Sequence, residues 1–135
     1  MKAFINRVTG GVLKALAGLS YKIEVPGLRY SETERGSHWL RVTILSAITR
    51  HRRDVRDALV SITCFSRDAA ALYKHALMAD EVVNALGKSI RLYGDDGTTV
   101  VGVLVFKEPS VKTMTDDKGV LMAVVDIQVY YEATS

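Results

Sequence analysis

Three histidines, one cysteine, two pairs of aspartates and a cluster of arginines are the residues here whose types could do chemistry. His38, His51 and His75 could bind a metal or move protons, but no HExxH or paired CxxC spacing accompanies them. His75 falls mid-helix near an apolar stripe, and a helix-flank histidine is the simpler reading. Cys64 alternates with apolar residues in a strand. A catalytic thiol needs a lowered pKa and an oriented base, and the pattern offers neither, so Cys64 reads as a buried core residue. Asp95-Asp96 and Asp116-Asp117 could hold cations or do acid–base work. Gly97 and Gly119 follow them closely, so turn chemistry accounts for both pairs. Gly94 and Gly97 lack the spacing of a phosphate loop, and no helix follows to receive an anion. The expectation is no catalytic, metal or cofactor site, and no enzymatic activity.

The basic stretch is the one notable polar feature. Arg50, Arg52, Arg53 and Arg56, with His51, could contact phosphates or an acidic protein surface. Asp54 and Asp57 partly neutralise it, and no aromatic residue is interleaved as a base-stacking platform. A solvated loop or a protein-contact loop therefore ranks above nucleic-acid recognition. The whole chain carries a mild net charge of +3, from 18 Lys and Arg against 15 Asp and Glu. Such a balance permits an acidic partner without announcing one.

These residues must be positioned by ordinary elements. The chain has 135 residues, 48% of them hydrophobic, enough for one domain across residues 1–135 with a sizeable core. No apolar run approaches the ~18–20 residues of a membrane helix. The first segment has a basic head at Lys2 and Arg7, but Lys14 breaks the apolar run and no small-residue cleavage site follows. It reads as a mature helix, and the absence of targeting implies synthesis and function in the cytosol, or export only as part of a particle. A single cysteine forms no intrachain disulfide and fits a reducing compartment.

Ile5, Val8, Val12, Leu16 and Leu19 share one helical face, with Gly10 and Gly11 weakening it or allowing a close contact. Pro26 and Gly27 mark a turn. Residues 38–46 and 58–65 alternate with period two and read as strands, joined by the polar stretch. A second helix follows, with Ser66 or Asp68 as its N-cap, Leu72, Ala76, Ala79, Val83 and Leu86 as its stripe, and Gly87 as a left-handed C-cap. Residues 89–93, 101–106 and 120–131 are three further strands, with a loop over 107–119 before the last. The predicted fold class is α+β: a mostly antiparallel, strongly twisted sheet with two helices packed on one face, in the order α-β-β-α-β-β-β. Apolar residues on both faces of the strands bearing Trp39, Tyr130 and Tyr131 favour core packing, with interface anchoring as the alternative.

The run Glu32-Thr33-Glu34-Arg35-Gly36-Ser37-His38-Trp39-Leu40-Arg41-Val42-Thr43-Ile44-Leu45 resembles the first strand region of tail terminator and tail-completion proteins of long-tailed bacteriophages. There a W-[LV]-R-V-T strand precedes a variable polar loop, a second apolar strand and one helix. The counterparts here are residues 58–65 and 68–86, the latter ending in ADEVVNAL, and the chain closes similarly near VDIQVYYEA. The resemblance covers nearly the whole chain in element order and length.

That resemblance implies a virion structural protein. It would form a hexameric ring on the head-proximal end of the tail, stop addition of tail tube protein, and offer a surface to neck or connector proteins. DNA would pass through the channel without sequence recognition, and no membrane or cofactor would be involved. Assembly would occur in the host bacterial cytoplasm. Such a function needs interfaces rather than catalysis, and loops supply them. The loops over residues 46–57 and 107–119 are the expected contact regions, with Arg50, Arg52, Arg53, Arg56, Lys107 and Lys112 as the charged candidates. Alternatives are another head–tail completion or minor tail protein, a small cavity enzyme, or a nucleic-acid-binding module using the arginine loop.

Overall fold

Three long strands form the centre of the molecule. The computed structural model describes residues 2–25, 27–31, 34, 36–49, 55–67, 72–87, 89–93, 98–115 and 120–133. The elements are α1 (Lys2–Leu16), β1 (Lys22–Glu24), β2 (His38–Thr49), β3 (Val55–Ser66), α2 (Leu72–Ala85), β4 (Ile90–Tyr93), β5 (Val100–Phe106), β6 (Ser110–Thr115) and β7 (Leu121–Ala133). One sheet holds all the strands, in the order β1-β2-β3-β7-β5-β4, with β6 beside β7.

Register puts alternate residues on one face. Leu40, Cys64 and Ala123 stand level; so do Val42, Ile62 and Val125, and then Ile44, Val60 and Ile127. These rows face the helices and form one buried cluster with Val8, Val12 and Leu16 of α1 and Met78, Val82 and Leu86 at α2.

The expected order and helix packing are overturned. The chain runs α-β-β-β-α-β-β-β-β, and the sheet is mixed because β1 pairs in parallel with β2. Three residues are too few for β1 to show an alternating pattern, and its partner lies beyond a long connection. The helices do not simply rest on one open face. The sheet curls, so that α1 touches both β2 and β4, which lie toward opposite flanks, while α2 covers β3 and β7. Lys14, in the last turn of α1, sits 4.9 Å from the ring centre of Tyr93 at the end of β4.

The 107–119 loop is also corrected: residues 110–115 form β6, a hairpin arm against β7. Phe106 pairs with Val129, the Lys107 N–H donates to the Gln128 carbonyl at 2.9 Å, and Ser110 pairs with Asp126. β5 and β6 are thus one run along β7, interrupted by a bulge at Lys107–Glu108–Pro109. Likewise β2 extends to Thr49 and β3 begins at Val55, so most of the expected 46–57 loop is paired strand. The turns expected at residues 94–97 and 116–119 lie outside the described residues.

Helix details shift as well. In α2 the buried positions are His75, Met78, Ala79 and Val82, whereas Ala76 is exposed, so the stripe is rotated from the expected one. Ser66 is the last residue of β3 rather than a helix cap, and Asp68 lies outside the described residues. Gly87 does not adopt positive φ; its N–H donates to the Asn84 carbonyl at 3.2 Å. Gly27 does take positive φ, 88°, at the turn expected there.

The two glycines of α1 differ in role. A Cβ on Gly10 would meet nothing within 4 Å, whereas one on Gly11 would clash with Leu104 and come within 3.3 Å of Leu92 Cδ2. Gly11 therefore lets α1 approach β5 and β4. Gly10→Ala is expected to stabilise by about 1 kcal/mol through helix propensity. Gly11→Val is expected to destabilise by ~1–3 kcal/mol through overpacking, because Leu104 is fully buried. Urea midpoints of the two variants should move in opposite directions; parallel shifts would refute the assignment.

Candidate functional site

Polar side chains gather in two buried places, both on β2 and its neighbours. At the start of β2, His38 pairs with Ser66 across the β2–β3 ladder, and α2 brings His75 over the same point. Ser66 Oγ lies 2.8 Å from His38 Nδ1, 2.7 Å from His75 Nδ1 and 3.4 Å from Met78 Sδ. One hydroxyl carries one proton. When an imidazole accepts it, that ring is neutral with its hydrogen on Nε2, and the other ring donates through Nδ1. A serine beside histidine suggests a nucleophile, but Ser66 is fully buried, so this hydroxyl has no approach for a substrate.

Burial lowers the His75 pKa from its ordinary 6.5, and the charge on His38 lowers it further, while the Met122 backbone opposes both. His75 Nε2 is buried without a well-formed hydrogen bond, so the Met122 compensation is partial. In the window between the depressed folded value and about 6.5, the unfolded chain binds more protons than the folded one, so stability rises with pH there. It is fully present above that window and is lost as pH falls through it. His75→Gln should flatten the dependence of the urea midpoint on pH below about 6.5. Equal slopes in variant and parent would refute the role.

The second place lies on the sheet face away from the helices. Glu24 of β1 stands level with Arg41 of β2 and is fully buried. Its Oε1 accepts from Arg41 Nε at 3.2 Å and Nη2 at 2.9 Å, and from Arg29 Nη1 at 3.5 Å. Its Oε2 accepts from the Tyr30 N–H at 2.9 Å. Beside this pair Trp39 stacks on Phe65, ring centres 5.0 Å apart. Arg67 lies 5.0 Å from the Trp39 ring and Arg41 4.7 Å from that of Phe65. Trp39 is thus buried, as core packing requires, but away from the helical core.

Further along this face Thr43, Ser61, Asp126 and Ser110 form a polar row. Asp126 Oδ1 is buried there with no hydrogen bond among the described residues. The face then opens: Leu59 and Val105 are exposed, and so is the bulge residue Leu45.

The three candidate charged residues within the described part, Arg56, Lys107 and Lys112, stand at different places along the sheet. Arg50, Arg52 and Arg53 lie outside the described residues. Arg56 pairs between Thr49 and Tyr131 toward the far ends of β2, β3 and β7. Lys107 sits in the bulge, its ammonium 5.4 Å from the Tyr130 ring centre. Lys112 is exposed mid-strand in β6, opposite Val124. Burial pushes the Cys64 thiol up to about 12, with the Glu81 charge adding to the effect, so it stays protonated and inert at neutral pH. Sequence reading missed Glu24 and gave Ser66 the role of a helix cap instead of a partner for two histidines. A lone acid in a short strand and a serine at a strand end carry no periodic signal.

Among the described residues no group of three or more His, Cys, Asp or Glu could hold a metal ion, and no helix is long and apolar enough to cross a membrane. The architecture is α+β, dominated by a curled sheet. No family model matches the chain, and no curated protein matches it. A solved structure that is named only by a sequence identifier is similar over 96% of this chain and 95% of that one, with TM-score 0.62 and 10% identity. At that identity the likeness is one of fold alone.

Proposed function

We propose that this chain is a virion structural protein, a tail terminator of a long-tailed bacteriophage. It assembles as a ring, hexameric by the resemblance, on the head-proximal end of the tail tube. There it stops tube polymerisation and presents the attachment surface for neck or connector proteins. The observation that carries this reading is the placement of the stretch with the family resemblance. Trp39, Leu40, Arg41, Val42 and Thr43 form the start of β2, with Trp39, Arg41 and Thr43 on the face away from the helices. That strand continues to Thr49, with exposed Leu45 along it and exposed Leu59 on its neighbour. A protein whose task is to meet copies of itself and two different neighbours needs such a surface more than it needs a pocket.

Deleting the gene from its genome and imaging the particles by electron microscopy tests the proposal. Overlong tails, or tails without heads, are expected. Normal joined particles, or no viral particles at all, would overturn it. Tails of normal length that fail to join heads would instead favour a head–tail completion protein.

A further inference from the structure

Backbone groups decide where this sheet can grow. β1 stands beside β2 only at Trp39, Leu40 and Arg41. Along residues 42–49 the outer edge of β2 has no strand beside it among the described residues. On the opposite flank β6 pairs with β7 on one side only among the described residues, and residues 110–113 are exposed. Beyond the β1–β2 ladder, no outward backbone hydrogen bond of either stretch occurs among the described residues.

Edges of this length are templates for another strand unless they are blunted by charge, proline or bulges. β6 has Lys112 as its one charge, and β2 has a single bulge next to Leu45. Each edge also exposes an apolar side chain: Leu45 is 54% and Val111 46% exposed.

Direction and stagger fit the two edges to each other. Successive antiparallel pairings of β2, β3, β7 and β6 leave β2 and β6 running in opposite directions. A rotation about an axis along the strands therefore sets β6 of one copy antiparallel to β2 of the next. Through β3 and β7, Ser110 stands level with Thr43, and Thr115 with His38. The open part of β2 is thus offset from β6 by about five residues, or ~16 Å along the strands. About four strand spacings, ~19 Å, separate β2 from the same strand of the next copy. That ratio corresponds to a strand tilt of ~40°, within the range at which sheets close on themselves. Pairing of β6 with β6 would instead make a two-fold dimer and leave the β2 edge open.

We propose that copies of this chain join edge to edge, the open part of β2 in one copy pairing antiparallel with β6 of the next, to close a ring with a continuous sheet. The proposal rests on the ring-forming reading above and supplies its subunit contact.

Hydrogen–deuterium exchange of the full chain, compared between the assembled fraction and the dilute monomer, tests it. Outward amides in both 42–49 and 110–115 should exchange at least about tenfold more slowly on assembly. Lys112→Pro and Thr113→Pro give a second measurement. Backbone N–H groups alternate along β6, so one variant loses a bond to β7 and the other only an outward amide. The variant that keeps the parent's circular dichroism and melting curve should remain monomeric by light scattering. Slowed exchange in 110–115 alone, with a dimer, would overturn the proposal in favour of β6 self-pairing. An oligomer with neither edge slowed, or one that both proline variants still form, would overturn edge pairing and leave the ring reading standing. A chain monomeric at every concentration would also overturn it, while the gene deletion decides the terminator reading separately.

Discussion

Arg41→Met is expected to destabilise the protein by about 3–5 kcal/mol in urea unfolding, the cost of stranding a buried charge. Glu24 is fully buried, and Arg41 gives it two of its hydrogen bonds, at 3.2 and 2.9 Å. Arg29 is a poor substitute: its contact is 3.5 Å and its side chain is 53% exposed. Removing the acid instead leaves a guanidinium that still reaches water, since the Arg41 side chain is 29% exposed. Glu24→Gln should therefore cost less, about 1–2 kcal/mol. The double variant Glu24→Met with Arg41→Met should recover much of the loss, because two apolar side chains can replace a buried pair. An Arg41→Met cost below about 1 kcal/mol would show that the Tyr30 N–H and Arg29 suffice to hold the carboxylate.

Ile62→Ala is expected to cost about 3–4 kcal/mol, with an unchanged denaturant slope. Ile62 is fully buried at the middle of β3, level with Val42 on one side and Val125 on the other. Sheet neighbours on both sides and helices above leave the cavity little room to collapse. Leu59→Ala provides the contrast. Leu59 lies on the same strand but is 38% exposed, so its loss should cost about 1 kcal/mol or less. Similar costs at the two positions would refute the assignment of the core to the helix-facing side.

Much of the fold is legible where burial alternates locally. The centres of β2, β3 and β7 and the existence of both helices follow from apolar spacing, because each such element buries one face along its own length. Cys64 as a buried strand residue follows in the same way. β6 is invisible to that reading: Ser110 to Thr113 are exposed on both faces, so nothing selects an alternation. β1 is too short to show one. The rotation of the α2 stripe onto His75 and Met78 depends on what lies beneath. Ser66 at the end of β3 offers His75 a hydroxyl, which lets a polar residue take a buried position.

The sequence by itself determined the locally encoded parts: an α+β chain with amphipathic helices, alternating central strands and a glycine step at Gly10 and Gly11. Only the tertiary structure decided which strands are neighbours, that β1 joins in parallel, and that the sheet curls far enough for α1 to meet both flanks. It alone brought Glu24 to Arg41, 17 residues apart, and His38 to Ser66, 28 residues apart. Among the described residues it also left β2 and β6 with open edges. The physical reason is that periodicity reports which side of a segment avoids water. Strand pairing and buried polar contacts instead join residues far apart in the chain, and their partners are chosen by the closure of the whole sheet.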